Sequence, residues 1–461
     1  MILISAFAIL ASSFKVGNFE YNAVGDKATL VSATCPQQGT ELNIPETFEH
    51  SGVQFTVTNI GNNAFRDCKT WEGPLTLPSS LEAIGNNAFY FCSKLTGNLT
   101  IPKGVTSIGF QAFIDCTGFN GQLTIPDTVT SIGGSAFSGC TGLTGDLVLP
   151  SQLTVIEDQT FSSLGCSGSL TLPANLVTIG SRSFQYTNFS GQLNLPQSLT
   201  TIKSTAFSGS TFTGNLNLPS NLETIDFSAF RDCTGFTGSL TIPNKVTTVS
   251  YDVFSGCTGF NGNLVLHSEI SKIDNRAFYD CNGLIGTLNI PETVESIGYD
   301  AFFNCTGFTG SLTLPDSLTT IDNRAFLNCS GLNGVLTFGE NITSFANDSF
   351  VGTKFTAVHF VGEANIKDCK SLGGITVDVV NVPKEYEGDQ FCNVTVEKNF
   401  EPGKPPKKKS GLSLGAIIAI AVCAGVVVIA AVVVAVVIIL KKRKSTNADD
   451  LKSDINESSA A

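Results

Sequence analysis

The sequence predicts a β-rich solenoid of about thirteen coils, closed by β caps and followed by one transmembrane α-helix. Three observations predict it. A phenylalanine recurs at Phe65, Phe89, Phe113, Phe137, Phe161, Phe184, Phe207, Phe230, Phe254, Phe278, Phe302, Phe326 and Phe350. The steps are 24 residues, with three of 23 between Phe161 and Phe230. A period in this range marks a repeat architecture, in which one unit cannot bury its apolar face alone. Between the anchors the apolar residues fall into two short clusters. Beyond the repeats, Ala416 to Leu440 runs for 25 residues without a charge.

The chain has 461 residues and opens on the apolar run Met1–Ala11, followed by Ser12 and Ser13. This reads as a secretory leader, residues 1–13, although its charged n-region is missing. Residues 14–57 follow as an N-terminal β-hairpin cap. Its strand-like runs are Ala28–Ala33 and Val53–Val57.

The repeats occupy residues 58–380, with a degenerate last unit at Ile366–Cys369. In residues 123–146 the first cluster is Leu123 and Ile125, at period two, ended by Pro126. Proline stops a strand because it has no N–H to donate. The second cluster is Val129 and Ile132, before Ala136 and Phe137. Both are short and β-branched, so they read as strands. Gly and Thr-Gly mark the turns. Stacking at about 4.8 Å per coil makes a rod of roughly 60 Å.

This pattern resembles the BspA-like leucine-rich repeats, also called the Treponema pallidum type. The hallmark run stands here as Ile101-Pro102, Val105, Ile108-Gly109, Ala112-Phe113 and Cys116. The resemblance covers about residues 19–380. Most units depart from it by an extra Gly-containing residue, as at Gly121, Gly145 and Gly238. It implies a curved solenoid on a cell surface, and adhesion to host cells, matrix or other microbes. Members occur on oral bacteria and on protists. The eukaryote-style span and tail point to a protist such as a trichomonad.

There are 14 cysteines. Ten sit three residues after an anchor phenylalanine or its degenerate counterpart: Cys68, Cys92, Cys116, Cys140, Cys233, Cys257, Cys281, Cys305, Cys329 and Cys369. Stacked neighbours with parallel Cβ vectors make poor disulfides. The column is therefore expected to be buried free thiols. Cys35 and Cys392 lie one in each cap region, too far apart to pair unless the caps meet.

No catalytic or metal chemistry emerges, and no enzyme or cofactor is expected. The three histidines, His50, His267 and His359, belong to different units. Asp67, Asp115, Asp232 and Asp280 share one turn position, but Phe91, Gly139, Gly256 and Asn304 interrupt it. They read as solvated turn acids rather than a calcium ladder. The exposed side of the first strand carries Thr76, Thr100, Thr124, Thr171, Asn194, Asn217, Thr241, Asn289 and Thr313. Such a Thr/Asn ribbon is the candidate ligand-binding surface, although β-propensity and solubility are the simpler account of it. Sequons stand at Asn98, Asn188, Asn304, Asn328, Asn341, Asn347 and Asn393. They are glycosylation candidates in a secreted chain.

Residues 381–413 are read as closing strands and a Pro/Lys stalk that contains Glu401–Pro406. Residues 414–440 are the transmembrane helix. Twenty-five helical residues reach roughly 38 Å, more than the ~30 Å hydrocarbon core. Four basic residues flank each side, so the leader sets the orientation: N-terminus outside, residues 441–461 cytoplasmic. The net charge is −12. An acidic chain without a basic patch is a poor nucleic-acid binder. The expected partners are the membrane and an extracellular protein or glycan. The competing reading is an inert or antigenic surface coat.

Overall fold

The computed structural model describes residues 12–398, apart from Gln38, Ala364, Asn365, Lys367, Asp368 and Lys370. The expected leader up to Ala11, the stalk, the span at Ala416–Leu440 and the tail lie outside the described residues. Within them the chain forms a β-solenoid of about 13 turns. Among the described residues there is no helix, and so none long and apolar enough to cross a membrane.

Most coils contribute two short strands and a turn around the anchor. First strands pair in parallel at the repeat spacing, as Leu99 with Leu123 and Thr100 with Thr124. Second strands do the same, as Ser107 with Ser131 and Ile108 with Ile132. A third set of bonds links the anchors: the Phe89 N–H donates to Ala112 O at 2.7 Å and the Phe113 N–H to Ala136 O at 2.8 Å. Strands and anchor turn alike thus find backbone partners in the coil above or below.

The thirteen anchors are at most 1% exposed. Their rings stack face to face, with centroids 4.9–5.9 Å apart and planes within 14°. That spacing is close to the strand separation, so stacking and strand pairing reinforce one another. The Ile-Gly step has an equally direct cause. A Cβ on Gly109 would lie 2.5 Å from the Asn86 nitrogen of the coil below.

The caps are more elaborate than the expected hairpin. Their strands are β1 (Ser12–Val16), β2 (Phe19–Val24), β3 (Lys27–Ala33), β4 (Thr40–Asn43), β5 (Thr47–His50) and β6 (Val53–Ile60). β1, β2 and β3 form an antiparallel meander, and β5 pairs antiparallel with β6. The two runs expected to pair as a hairpin, in β3 and β6, are parallel neighbours. Gly17, Gly25 and the Ser51-Gly52 pair, all at positive φ, close local turns. β1 with β2, β2 with β3 and β5 with β6 therefore pair antiparallel with their sequence neighbours, while β4 pairs in parallel with the strand at Trp71–Thr76. β1 also begins at Ser12, so the expected leader boundary at residue 13 falls inside a paired strand. At the other end Val379–Asn381 pairs in parallel with Val394–Glu397, which turns back onto Gln390–Phe391.

The cysteine column divides in two. Nine cysteines are free and buried: Cys166 and the eight column members from Cys92 to Cys329. Each of those eight thiols donates to the carbonyl of the anchor phenylalanine in the preceding coil, at 3.0–3.1 Å. The end members do not follow the expectation. Cys68 is bonded to Cys35 and Cys369 to Cys392, with Cα atoms 5.6 and 4.8 Å apart. At each end the neighbour is a cap cysteine rather than a column member, and the separation suits a disulfide.

An ionic seam joins the later coils. Position −2 from the anchor holds Asp252, Arg276, Asp300 and Arg324, each at positive φ. Asp252 is fully buried, 3.1 Å from Arg276 Nε and 3.5 Å from Arg231 Nη1. Arg324 donates from Nε to Asp300 Oδ1 at 2.8 Å and lies over the rings of Tyr299 and Phe303.

Two outcomes follow from this core. Phe230→Ala should cost about 3–5 kcal/mol, the usual range for truncating a buried phenylalanine. Because coils couple mainly to neighbours, fast hydrogen exchange should appear locally, between the flanking anchors Phe207 and Phe254. A neutral substitution would contradict the column. The thiols give a second outcome. Burial pushes Cys92, Cys233 and Cys329 up to about 12. An unfolded thiol titrates near ~8.5, so the folded chain keeps protons that the unfolded chain has lost. This stability is complete below about pH 8.5 and drains away as pH rises toward about 12. Urea unfolding should show a midpoint falling across that window, less steeply in a Cys233→Ala, Cys329→Ala double variant. Equal slopes would mean the thiols are accessible.

Candidate functional site

The expected ribbon is built by the alternation of the first strand. Leu99 and Ile101 are buried while Thr100 between them is exposed. All nine residues, Thr76, Thr100, Thr124, Thr171, Asn194, Asn217, Thr241, Asn289 and Thr313, are exposed. The structure brings them onto one side of successive coils in a single column. Val148 and Val265, missed in the sequence, stand in the same register, Val148 paired with Thr171 and Val265 with Thr241. Their side chains are 60% and 45% exposed, so the ribbon is neutral but not uniformly polar. It is also not one continuous ladder. Asn194, Asn217 and Asn289 lie outside assigned strands. Asparagine is a poor strand former, and the ladder lapses where it enters.

The second-strand face is the surface that sequence reasoning overlooked. Its outward column is mostly hydroxyls: Thr178, Thr201 and Thr224 pair in register, as do Ser296, Thr320 and Ser344. Beside it, three residues before the anchor, stand Phe110, Phe227, Tyr251 and Tyr299, 37–52% exposed. A shallow groove of about 520 Å³ runs over Ser107, Ser131 and Phe110. The signal was present in the sequence, since a Ser or Thr precedes the isoleucine of most Ile-Gly motifs.

The shared Asp position has a conformational cause. Asp67, Asp115, Asp232, Asp280, Phe91 and Asn304 all have φ between 55° and 59°, and Gly139 and Gly256 are at 73° and 74°. Asp, Asn and Gly are the residues that enter this left-handed region most readily. Among the described residues no group of three or more His, Cys, Asp or Glu is placed to hold a metal. His267 serves the backbone, its Nε2 lying 3.0 Å from Val246 O while Nδ1 accepts from the Glu269 N–H. His50 stacks on Phe14. Burial lowers the pKa of His359.

Six of the sequon asparagines, Asn98, Asn188, Asn328, Asn341, Asn347 and Asn393, are exposed. Asn304 is half-buried, and its Nδ2 donates to Asp280 Oδ1 at 2.7 Å.

Comparison with known proteins agrees with this geometry. A leucine-rich repeat protein from Bacteroides ovatus superposes with a TM-score of 0.56 at 22% identity, over 83% of this chain and 99% of that one. A leucine rich cell surface protein from Faecalibacterium prausnitzii gives 0.52 at 22% identity, over 75% of this chain and 95% of its own. At such identity these likenesses speak for the fold. No curated protein matches the chain. The family described as BspA type leucine rich repeat region matches residues 46–166, 144–261 and 260–371. Those segments span most of the chain and every anchor, and the chain belongs to the BspA-type leucine-rich repeat family.

Proposed function

We propose that this chain is a single-span surface protein whose solenoid stands outside the cell and recognises an extracellular protein or glycan. The observation that carries the reading is the ribbon: nine uncharged residues, all exposed, at one position of successive coils that Val148 and Val265 also occupy. Shallow contacts repeated along a rod add by avidity, so no deep pocket is required. The family supports an interaction role, and one solved relative is a cell surface protein. The 25-residue uncharged segment and the apolar opening run support the placement. A second reading puts the ligand on the second-strand face, favoured by its exposed aromatics, which are common anchors of interfaces.

Lysine at Thr100, Thr124, Thr171 and Thr241, singly and together, tests the ribbon. All four positions are exposed, so folding should survive. Attachment of the purified ectodomain to host cells or matrix should fall stepwise and depend little on salt, because the contacts are neutral. Full attachment by the folded quadruple variant moves the site to the second-strand face. A wild-type ectodomain that attaches to nothing favours the inert coat.

Topology has its own test. Trypsin added to intact cells should cut the stalk at Lys407–Lys409, release the repeats and spare the tail. Protected repeats would refute the orientation.

A further inference from the structure

Among the described residues an arginine meets an aromatic ring and a carboxylate together in three places. Arg66 lies over the Tyr90 ring, 4.4 Å from its centroid, with Nε 3.4 Å from Asp67 Oδ2. Arg276 lies over Tyr279 at 4.5 Å, with Nε 3.1 Å from Asp252 Oδ1. Arg324 lies over Tyr299 at 4.9 Å and Phe303 at 5.4 Å, and its Nε donates to Asp300 Oδ1 at 2.8 Å. In each case the negative face of the ring and the carboxylate attract the same guanidinium.

One place on the rod has the rings and the carboxylate without the arginine. Phe227 and Tyr251 stand three residues before the anchor in successive coils, which the Ser228 N–H joins by donating to Tyr251 O at 2.9 Å. They are the one pair of aromatics in successive coils at this position, which elsewhere holds Asn62, Asn86, Ser181, Ser204, Asn275 and Asn323. Phe227 is 52% exposed and Tyr251 41%, so packing does not account for two rings here. Neither has a cation or another ring against it among the described residues.

Asp226 adjoins Phe227, is half-buried, and makes no ion pair among the described residues. Lys203, one coil earlier, acts on Asp226 through its charge but makes its hydrogen bond to Asp158, at 3.5 Å. The bases of the following coils are committed elsewhere: Lys245 to Glu223, Lys272 to Asp274 and Arg276 to Asp252. The chain as a whole carries −12, which favours the approach of a cation.

We propose that Phe227, Tyr251 and Asp226 form a docking site for an arginine in a basic segment of a partner protein. The guanidinium lies across the two rings, and Asp226 accepts from its N–H groups. Arginine suits the site better than lysine, because its planar head stacks on a ring and bonds a carboxylate at the same time. The proposal rests on the second reading above, in which the ligand meets the second-strand face, and states what that ligand must carry.

The chain has 7 tyrosines, so labelling with 3-fluorotyrosine gives few fluorine resonances, and Tyr251→Phe assigns the one at the site. The probe is an acetylated, amidated peptide, Gly-Ser-Arg-Gly-Ser-Arg-Gly-Ser, titrated onto the full chain in detergent. A saturable shift of the Tyr251 resonance is expected. The same peptide with citrulline for arginine keeps the planar head without the charge, and should bind at least ~5-fold more weakly. Phe227→Ala and Asp226→Asn should each weaken binding of the arginine peptide about 3-fold, while the other tyrosine resonances stay in place and show that the fold is kept. No saturable shift, equal binding of the two peptides, or binding unchanged in both variants would overturn the proposal.

Vesicles bearing the full chain separate the proposal from the reading beneath it. If Phe227→Ala with Tyr251→Ala abolishes their attachment to host cells while the arginine peptide fails to bind, the face is the site and the basic partner is refuted. If attachment is unchanged and the peptide also fails, both fall.

Discussion

Everything in this molecule depends on one demand: after each coil the chain must return to its starting point, displaced by one strand spacing. The stacked phenylalanine column meets that demand in the interior. Rings 4.9–5.9 Å apart lie close to the spacing set by strand hydrogen bonds, so neither has to yield. The same demand selects residues that look unrelated in the sequence. Gly109 is glycine because the coil below leaves no room for a Cβ. Asp67, Asp115, Asp232 and Asp280 share a position because the turn there is left-handed. The eight column thiols each satisfy a carbonyl one coil away, which ties the turn to the anchor beneath it.

The fold was legible wherever it is periodic. The anchors, the two strand clusters and the outward threonines follow from spacing alone, since period two within a strand and 24 residues between coils fix which way each side chain faces. The caps were less legible because they are not periodic. Pairing of β3 with β6 and of Cys35 with Cys68 depends on which segments fold back locally, and no repeat constrains that. The error over Cys68 and Cys369 is of this kind. Column geometry was extended to two members that have a coil on one side only. Of the candidate site, membership was legible but continuity was not. Val148 and Val265 interrupt the polar column, and the ladder lapses at Asn194, Asn217 and Asn289. The seam of Asp252, Arg276, Asp300 and Arg324 needed the same arithmetic applied to charged positions. Their alternation means something only once they are stacked.

The two kinds of cysteine show how position in the array decides chemistry. An interior thiol has a coil above and below, is buried, and stays protonated. An end thiol faces a cap segment that belongs to no coil. There the disulfide fastens an irregular element to a regular one, joining partners separated by 33 and 23 positions in the sequence. Constraint of the unfolded chain is the main contribution of such links. The array propagates its own order through neighbour contacts and needs no staple inside. The cap segments belong to no repeating array, and the staples are found there.

A repeat protein also divides its recognition surface in two. Along the sides, each position is copied from coil to coil, so a ligand meets many near-equivalent places. Binding there is additive and tolerant of single changes. At the ends, residues occur once. The cap strands β1 to β6 and the disulfides Cys35–Cys68 and Cys369–Cys392 have no copies further along the rod. A partner that must be distinguished from others is better read at an end, where a single residue is not averaged over thirteen coils. A partner that must only be held is better met on the faces. Close stacking of the core leaves what distinguishes one position from another to the outer residues of each coil and to the caps.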